Sequence, residues 1–151
     1  MSIKEINFYH GSVFARLVNS GSLISLEALA CKTKGFYLLN NKIPLHIKYT
    51  TKKLSPWNFS FQKQHQDDFQ ECKDEYGVAF IIFVCGQDGI CCMEFDRLKH
   101  ILDYVHEETE GVAIRRRKGE KYSVSGCDGM LKGKIADGDF PKIVIAALND
   151  F

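Results

Sequence analysis

Apolar positions along the 151-residue chain change their period several times, and each change marks an element. Ile6, Tyr9, Val13 and Leu17 recur at helical intervals, with Ser2 and Glu5 at capping-box spacing before them and Asn19-Ser20-Gly21 as a stop. This predicts a first helix, weakened by Gly11. Leu23 to Leu29 is apolar-rich and fits a strand or a helix, with a strand preferred. Gly35 to Leu39 then runs into the turn sequence Asn40-Asn41-Lys42. Beyond it Ile43, Leu45, Ile47 and Tyr49 alternate with Pro44, His46, Lys48 and Thr50. That is a β-hairpin whose second strand carries His46 and Lys48 on one face. After Lys52-Lys53-Leu54-Ser55-Pro56, the aromatics Trp57, Phe59 and Phe61 alternate with Asn58 and Ser60. A short strand fits this better than a helix capped at Ser55-Pro56.

His65, Phe69, Cys72 and Tyr76 fall on one helical stripe within the polar stretch Gln62 to Glu75, which Gly77 ends. A surface helix is predicted. Val78 to Cys85 is continuously apolar, as expected of a strand covered on both faces at the centre of a sheet. The turn Gly86-Gln87-Asp88-Gly89 leads to a strand over Ile90 to Phe95, and Asp96 then caps a helix with Leu98, Ile101, Leu102 and Val105 on one stripe. Val112-Ala113-Ile114 reads as a strand, and Gly119, Gly126, Gly129, Gly133 and Gly138 punctuate further short strands. The expected architecture is α/β (α+β), a mixed central sheet flanked by helices with extra C-terminal strands, over a single domain covering 1–151.

Composition changes this picture little, but charge changes it more. With 45% hydrophobic and 26% charged residues the chain is ordinary for a globular protein. Its longest apolar run, Val78 to Cys85, is far short of the about 20 residues of a membrane span. Lys4 and Glu5 precede any apolar stretch without a small-residue cleavage site after them, so no secretory leader is expected. Six cysteines are then expected as reduced thiols in the cytoplasm. The net charge of +1 hides a sharp segregation. Lys32 to Gln66 holds seven lysines and no acid, whereas Asp67 to Glu110 holds twelve acids against Lys73, Arg97 and Lys99. Either the lysine block forms a face for polyanions, or the two blocks face each other or are separately solvated.

The order helix, strand, hairpin, helix, buried strand (αβββαβ) over about the first 85 to 95 residues resembles the core of the restriction-endonuclease-like, or PD-(D/E)xK, superfamily. His46-Ile47-Lys48 stands where that family carries its (D/E)-x-K triplet. The resemblance implies a site on the hairpin in which carboxylates hold divalent metal and a lysine assists. Lys48 is the position that carries over, and His46 replaces the second acid. Thr33, Asn40 or Asn41 stands where the first acid is sought, since no acid lies between Glu27 and Asp67. Glu5 matches the auxiliary acid of some members, and Glu27 enters only under a shifted strand register. The resemblance therefore implies a domain that keeps a nucleic-acid surface without the chemistry, and needs divalent metal only if it is an active nuclease.

Other clusters have two readings each. Cys85, Cys91 and Cys92 lie across one hairpin, but without a C-x-x-C pair they read as buried thiols rather than a metal site. No histidine is set beside a cysteine by sequence, so a Cys–His nucleophile stays an open alternative. Ser125-Gly126-Cys127-Asp128-Gly129 with Lys132 and Lys134 reads as a hairpin turn before a phosphate cradle. Arg115, Arg116, Arg117 and Lys118 either bind phosphates or guard a strand edge, and on a strand they cannot all face one ligand. Trp57 beside Lys52 and Lys53 is a candidate for stacking on bases, although aromatics at period two usually face a core.

Three functions compete. The first is a nucleic-acid-binding protein, taking DNA or RNA through Lys48, Lys52, Lys53, Trp57 and the Arg115 to Lys118 cluster. The second is a protein-interaction subunit of a host-defence or mobile-element system. The third is a hydrolase with an unusual site around His46 and Lys48, with Glu5 and Glu27 as its nearest acids, or around a Cys–His pair.

Overall fold

The computed structural model describes residues 2–30, 32–102 and 109–150. The chain is α+β, with four helices and two sheets among the described residues. The elements run α1 (Glu5–Val18), β1 (Leu26–Ala28), β2 (Phe36–Leu39), β3 (Ile43–Thr50), β4 (Trp57–Phe61), α2 (Lys63–Tyr76), β5 (Phe80–Cys85), β6 (Gly89–Glu94), α3 (Phe95–Leu98), β7 (Glu110–Arg115), β8 (Ser123–Gly126), β9 (Gly129–Met130) and α4 (Asp139–Asn149). The first sheet has the order β1-β2-β3-β5-β6 and the second β4-β7-β8-β9. Among the described residues no helix is long and apolar enough to cross a membrane.

In the first sheet β2 and β3 form the predicted antiparallel hairpin, with Phe36 opposite His46 and Leu39 opposite Ile43. Asn40 and Asn41, at φ 51° and 59°, supply the left-handed turn that this short connection needs. β5 lies parallel to β3 and antiparallel to β6, and all six of its residues are buried, as the apolar run requires. The alternation of β3 divides the molecule into two cores. Ile43, Leu45 and Ile47 face an aliphatic core with Val13 and Leu17 of α1 and Val144 and Leu148 of α4. The opposite face of the sheet carries Phe36, Ile81 and Phe83, which meet Trp57, Phe59 and Phe61 of the second sheet and Phe69 of α2.

Several expectations change. The N-cap of α1 is Lys4 rather than Ser2. The strand at Leu23 to Leu29 is confined to Leu26–Ala28. Trp57–Phe61 is a strand, but it leaves the hairpin's sheet and pairs with β7 in the second one. Local pattern fixes a strand's two faces without choosing its neighbour. Asp96 does not cap a helix: Glu94 is the N-cap of a helix of only four residues, and Val105 lies outside the described residues. The largest omission is α4. The glycines before it point to strands, whereas Ile143, Val144, Ala147 and Leu148 recur at helical spacing and turn one stripe of α4 onto the aliphatic core.

Candidate functional site

β2 begins at Phe36, so β3 beyond His46 has β5 on one side and no strand on the other. Gly35 makes this ending possible. It sits at φ +98°, and a Cβ there would lie 2.6 Å from the Ile47 carbonyl oxygen, so only glycine lets the two chains close up before they part. The gap is a cleft of about 330 Å³. His10 enters it from α1, Lys34 from the β2 entry, His46 and Lys48 from β3, and His65 from α2. Ser60 and Asn58 of β4 close the far wall, and no lining residue carries a carboxylate.

Each basic group is held in a distinct way. Lys48 extends over the Phe61 ring, 4.6 Å from its centroid, and donates to the Ser60 carbonyl at 2.7 Å. Its Nζ also lies 3.1 Å from His65 Nδ1. The backbone N–H of Gln62 donates to the same Nδ1 at 3.3 Å, so that nitrogen is an acceptor and the ring proton sits on Nε2. Burial lowers the Lys48 pKa to about 8. His65 is lowered from its ordinary value by burial first and by Lys48 second. His46, 2% exposed, stacks on Phe36 with ring centroids 3.9 Å apart. It is held well below the imidazole range by burial, reinforced by the charges of Lys48, His65 and His10. Its Nδ1 has no hydrogen-bond partner among the described residues. His10 is tied to the Tyr37 hydroxyl at 2.7 Å and is lowered by burial and by Lys34.

The structure brings His46 and Lys48 together, with no acid among the lining residues, although the charge of Asp68 reaches His65 from behind it. Glu27 is exposed on β1 opposite Leu38, which pairs with Pro44. It therefore sits two strands (roughly 10 Å) across and four residues (roughly 13 Å) along from Lys48, and the register brings it no closer. Glu5, exposed at the start of α1, bonds Tyr49, which lines the cleft from the side opposite to Lys48, so this carboxylate stands at the rim without lining the cleft itself. Thr33 and the Asn40-Asn41 turn do not line the cleft either. The donor set of imidazoles and ammoniums does not suit a hard divalent cation, which seeks carboxylate oxygens. Among the described residues no group of three or more His, Cys, Asp or Glu is placed to hold a metal ion.

Trp57 is a correction. It is 2% exposed and its indole donates to the Lys52 carbonyl at 2.9 Å, so it anchors the loop bearing the exposed Lys52 and Lys53 instead of offering a face to bases. Arg116 is also occupied, paired with Asp88 at 2.6 Å and stacked over the Tyr122 ring at 4.3 Å. Arg115, Arg117 and Lys118 are exposed. Asn58 pairs with Ala113, so Arg115 stands on the same outward face of the second sheet, about 7–8 Å diagonally from Asn58 at the cleft wall.

The cysteine readings resolve by strand parity. Cys85 and Cys91 face the aromatic core and Cys92 the aliphatic one, so the three cannot share an ion. Burial pushes all three thiols up, away from nucleophilic use. Ser125 to Gly129 is the β8–β9 hairpin, and the Asp128 amide donates to the Ile101 carbonyl, so that group is not left for a phosphate. The sequence reading missed His10, Lys34 and His65 as site residues. His65 was visible as part of a helical stripe, but nothing in a linear pattern showed that its turn of α2 meets β3. Comparisons with protein-family models, curated proteins and solved structures returned no match, so function has to be read from this cleft.

Proposed function

We propose that the chain is a nucleic-acid-binding protein that holds phosphates without hydrolysing them. The observation that carries this reading is the cleft beside β3, into which five basic side chains converge with no carboxylate among its lining residues. Its sign comes from Lys34 and Lys48, the histidines being lowered toward the neutral form, and such a site attracts anions, of which phosphate is the one a strand repeats along its length. Lys52 and Lys53 are exposed on the loop that Trp57 anchors, and Arg115 and Arg117 line a second pocket with Lys134 and Glu120, so further cations are available on the surface. The nuclease-like reading retains its lysine but lacks the acids that would bind metal and generate the attacking hydroxide. The five described cysteines form no disulfide with one another, and thiols of this kind suit a cytoplasmic setting.

Titrating a fluorescent oligonucleotide at several salt concentrations tests the reading. Affinity should fall steeply with salt, and Lys52→Gln with Lys53→Gln should lower the log–log slope by about two units while leaving folding intact. Binding that ignores salt, or no binding to DNA or RNA, would remove it. A second reading, docking of a protein partner, is favoured by one observation: Phe8 on α1 and Leu23 just after it are 62% and 94% exposed. Recovery of one stoichiometric protein from native cells, lost on Phe8→Ser, would support that reading.

A further inference from the structure

The polar inventory of the cleft is unbalanced in one direction. Lys48 spends two of its three N–H bonds on Ser60 and His65, leaving one over. His46 Nδ1 is buried and, among the described residues, without a partner, in a ring that lines the same cleft. An unsatisfied buried nitrogen is costly, and a ligand that shifted the ring enough to reach it, while taking the spare lysine N–H, would recover that cost. The neutral imidazole can present Nδ1–H at no charge cost, or take up a proton when an anion arrives.

Size and depth narrow the ligand. A cleft of about 330 Å³ is at the small end of the roughly 300–1,000 Å³ range of small-molecule sites, and it cannot admit a duplex. Lys48 is half-buried, so a phosphodiester lying across the surface, with a nucleoside on each side, approaches it less closely than a phosphate with one free side. A terminal phosphate has one free side and can enter end-on. A phosphate monoester also carries about −1.5 to −2 charge at pH 7, against one negative charge for a diester, and suits the ammoniums of Lys34 and Lys48, beside imidazoles that are neutral at that pH and offer hydrogen bonds.

We infer that the cleft between β3, α2 and β4 receives the terminal phosphate monoester of a nucleic-acid strand, with Lys48, His46 and Lys34 around it. This rests on the nucleic-acid reading above and specifies which part of the strand is held. The strand end is preferred to a free nucleotide because the exposed Lys52 and Lys53 follow the cleft-lining Thr50 within three residues of chain, and Arg115 shares the outward sheet face of the cleft-lining Asn58, so cations lie within a few residues of the cleft walls.

The test compares single-stranded oligonucleotides of one sequence carrying a 5′-phosphate, a 3′-phosphate or hydroxyls at both ends. One phosphorylated form should bind about tenfold more tightly than the hydroxyl form. Lys48→Met should erase that preference. Lys34→Gln, an exposed change that does not threaten folding, should reduce it severalfold. Lys52→Gln with Lys53→Gln should weaken all three ligands by the same factor. Equal affinity of all three for the wild-type protein overturns the inference while leaving nucleic-acid binding in place. If no oligonucleotide binds, the nucleic-acid reading fails. Nucleoside monophosphate and inorganic phosphate then decide the site itself, through the imidazole NMR signals of His46 and His65. A saturable shift with the monophosphate, stronger than with inorganic phosphate and lost in Lys34→Gln, would keep a monoester site that takes free nucleotides. No shift would overturn the site as well.

Discussion

The two faces of the first sheet are built from alternate residues of the same strands, yet they behave as different materials. Toward α1 and α4 the core is largely aliphatic, from Leu17, Leu39, Ile43, Leu45, Ile82 and Val144, every one of them fully buried. Toward the second sheet it is aromatic, with Phe61 and Phe83 fully buried and Phe36, Phe59 and Phe69 nearly so. Branched aliphatic chains fill space without directional demands and tolerate no charge. Flat rings leave ledges: Phe36 supports His46 and Phe61 supports the Lys48 ammonium. A polar cleft can therefore grow at the rim of the aromatic face, where a ring can partly compensate a cation. The interior of the aliphatic face gives no such foothold, and its one buried histidine, His10, sits where Phe14, Tyr37 and Tyr49 bring rings to the rim.

The contrast can be broken most forcefully with a charge. Ile82→Lys places an ammonium in the aliphatic core and should cost more than about 4 kcal/mol, preventing folding or nearly so. A soluble variant with an unchanged urea midpoint would show that this face is not the dry core described. On the aromatic face Phe83→Ala should cost about 3–5 kcal/mol in the same assay, because Phe83 packs on Phe59 at 4.6 Å and Phe61 at 6.0 Å and leaves a ring-sized void.

Smaller changes sharpen the comparison, because at Lys48 the native charge is itself the burden. Its folded pKa, about 8, lies below the ordinary 10.5, so through this group the unfolded chain binds more protons between those values and the contribution of Lys48 to stability rises with pH across that window. Lys48→Met should stabilise by about 2 kcal/mol at pH 7, an advantage over the wild type that shrinks on titration from pH 8 to 10.5, while the buried thiols weaken both proteins alike above pH 9. An advantage of the same size at pH 7 and pH 10.5 would contradict the buried ammonium.

The acid limb should be weaker and of the same sign. His46, His10 and His65 are lowered from 6.5, so stability is retained above that pH and lost as pH falls below it. His46→Phe should flatten that loss by about 1 kcal/mol per pH unit, measured by thermal melts between pH 6.5 and 5. The smallest effect belongs to the surface: Lys52→Gln with Lys53→Gln should shift the melting midpoint by no more than about 1 °C, since exposed lysines contribute little to stability.

These contrasts also explain what the sequence disclosed. Period two in Ile43 to Thr50 was enough to put His46 and Lys48 on one face, because strand parity is a local property. The unbroken run through Ile81 and Ile82 announced its own burial. The cleft was not legible because its walls come from segments distant along the chain, and the approach of His65 or Ser60 to Lys48 depends on which sheet β4 joins. Neighbour choice of that kind is decided by packing as a whole, which no window of residues contains. The resemblance to nuclease-like proteins rested on element order, and the cleft adds a lysine and basic companions without the acids.

Asp137 has an effect beyond its ion pair with Arg16. Its Oδ1 accepts from Arg16 Nη2 at 2.9 Å and from the backbone N–H of Ile90 at 2.8 Å. Ile90 belongs to β6, the outermost strand of the first sheet, whose outward amides would otherwise offer themselves to a strand from another molecule. The carboxylate stops that offer at one end of the edge, and α4 lies against the same strand. Asp137→Ala should thus alter the shelf life of a concentrated solution more than the melting point, as molecules begin to associate through their uncovered edges.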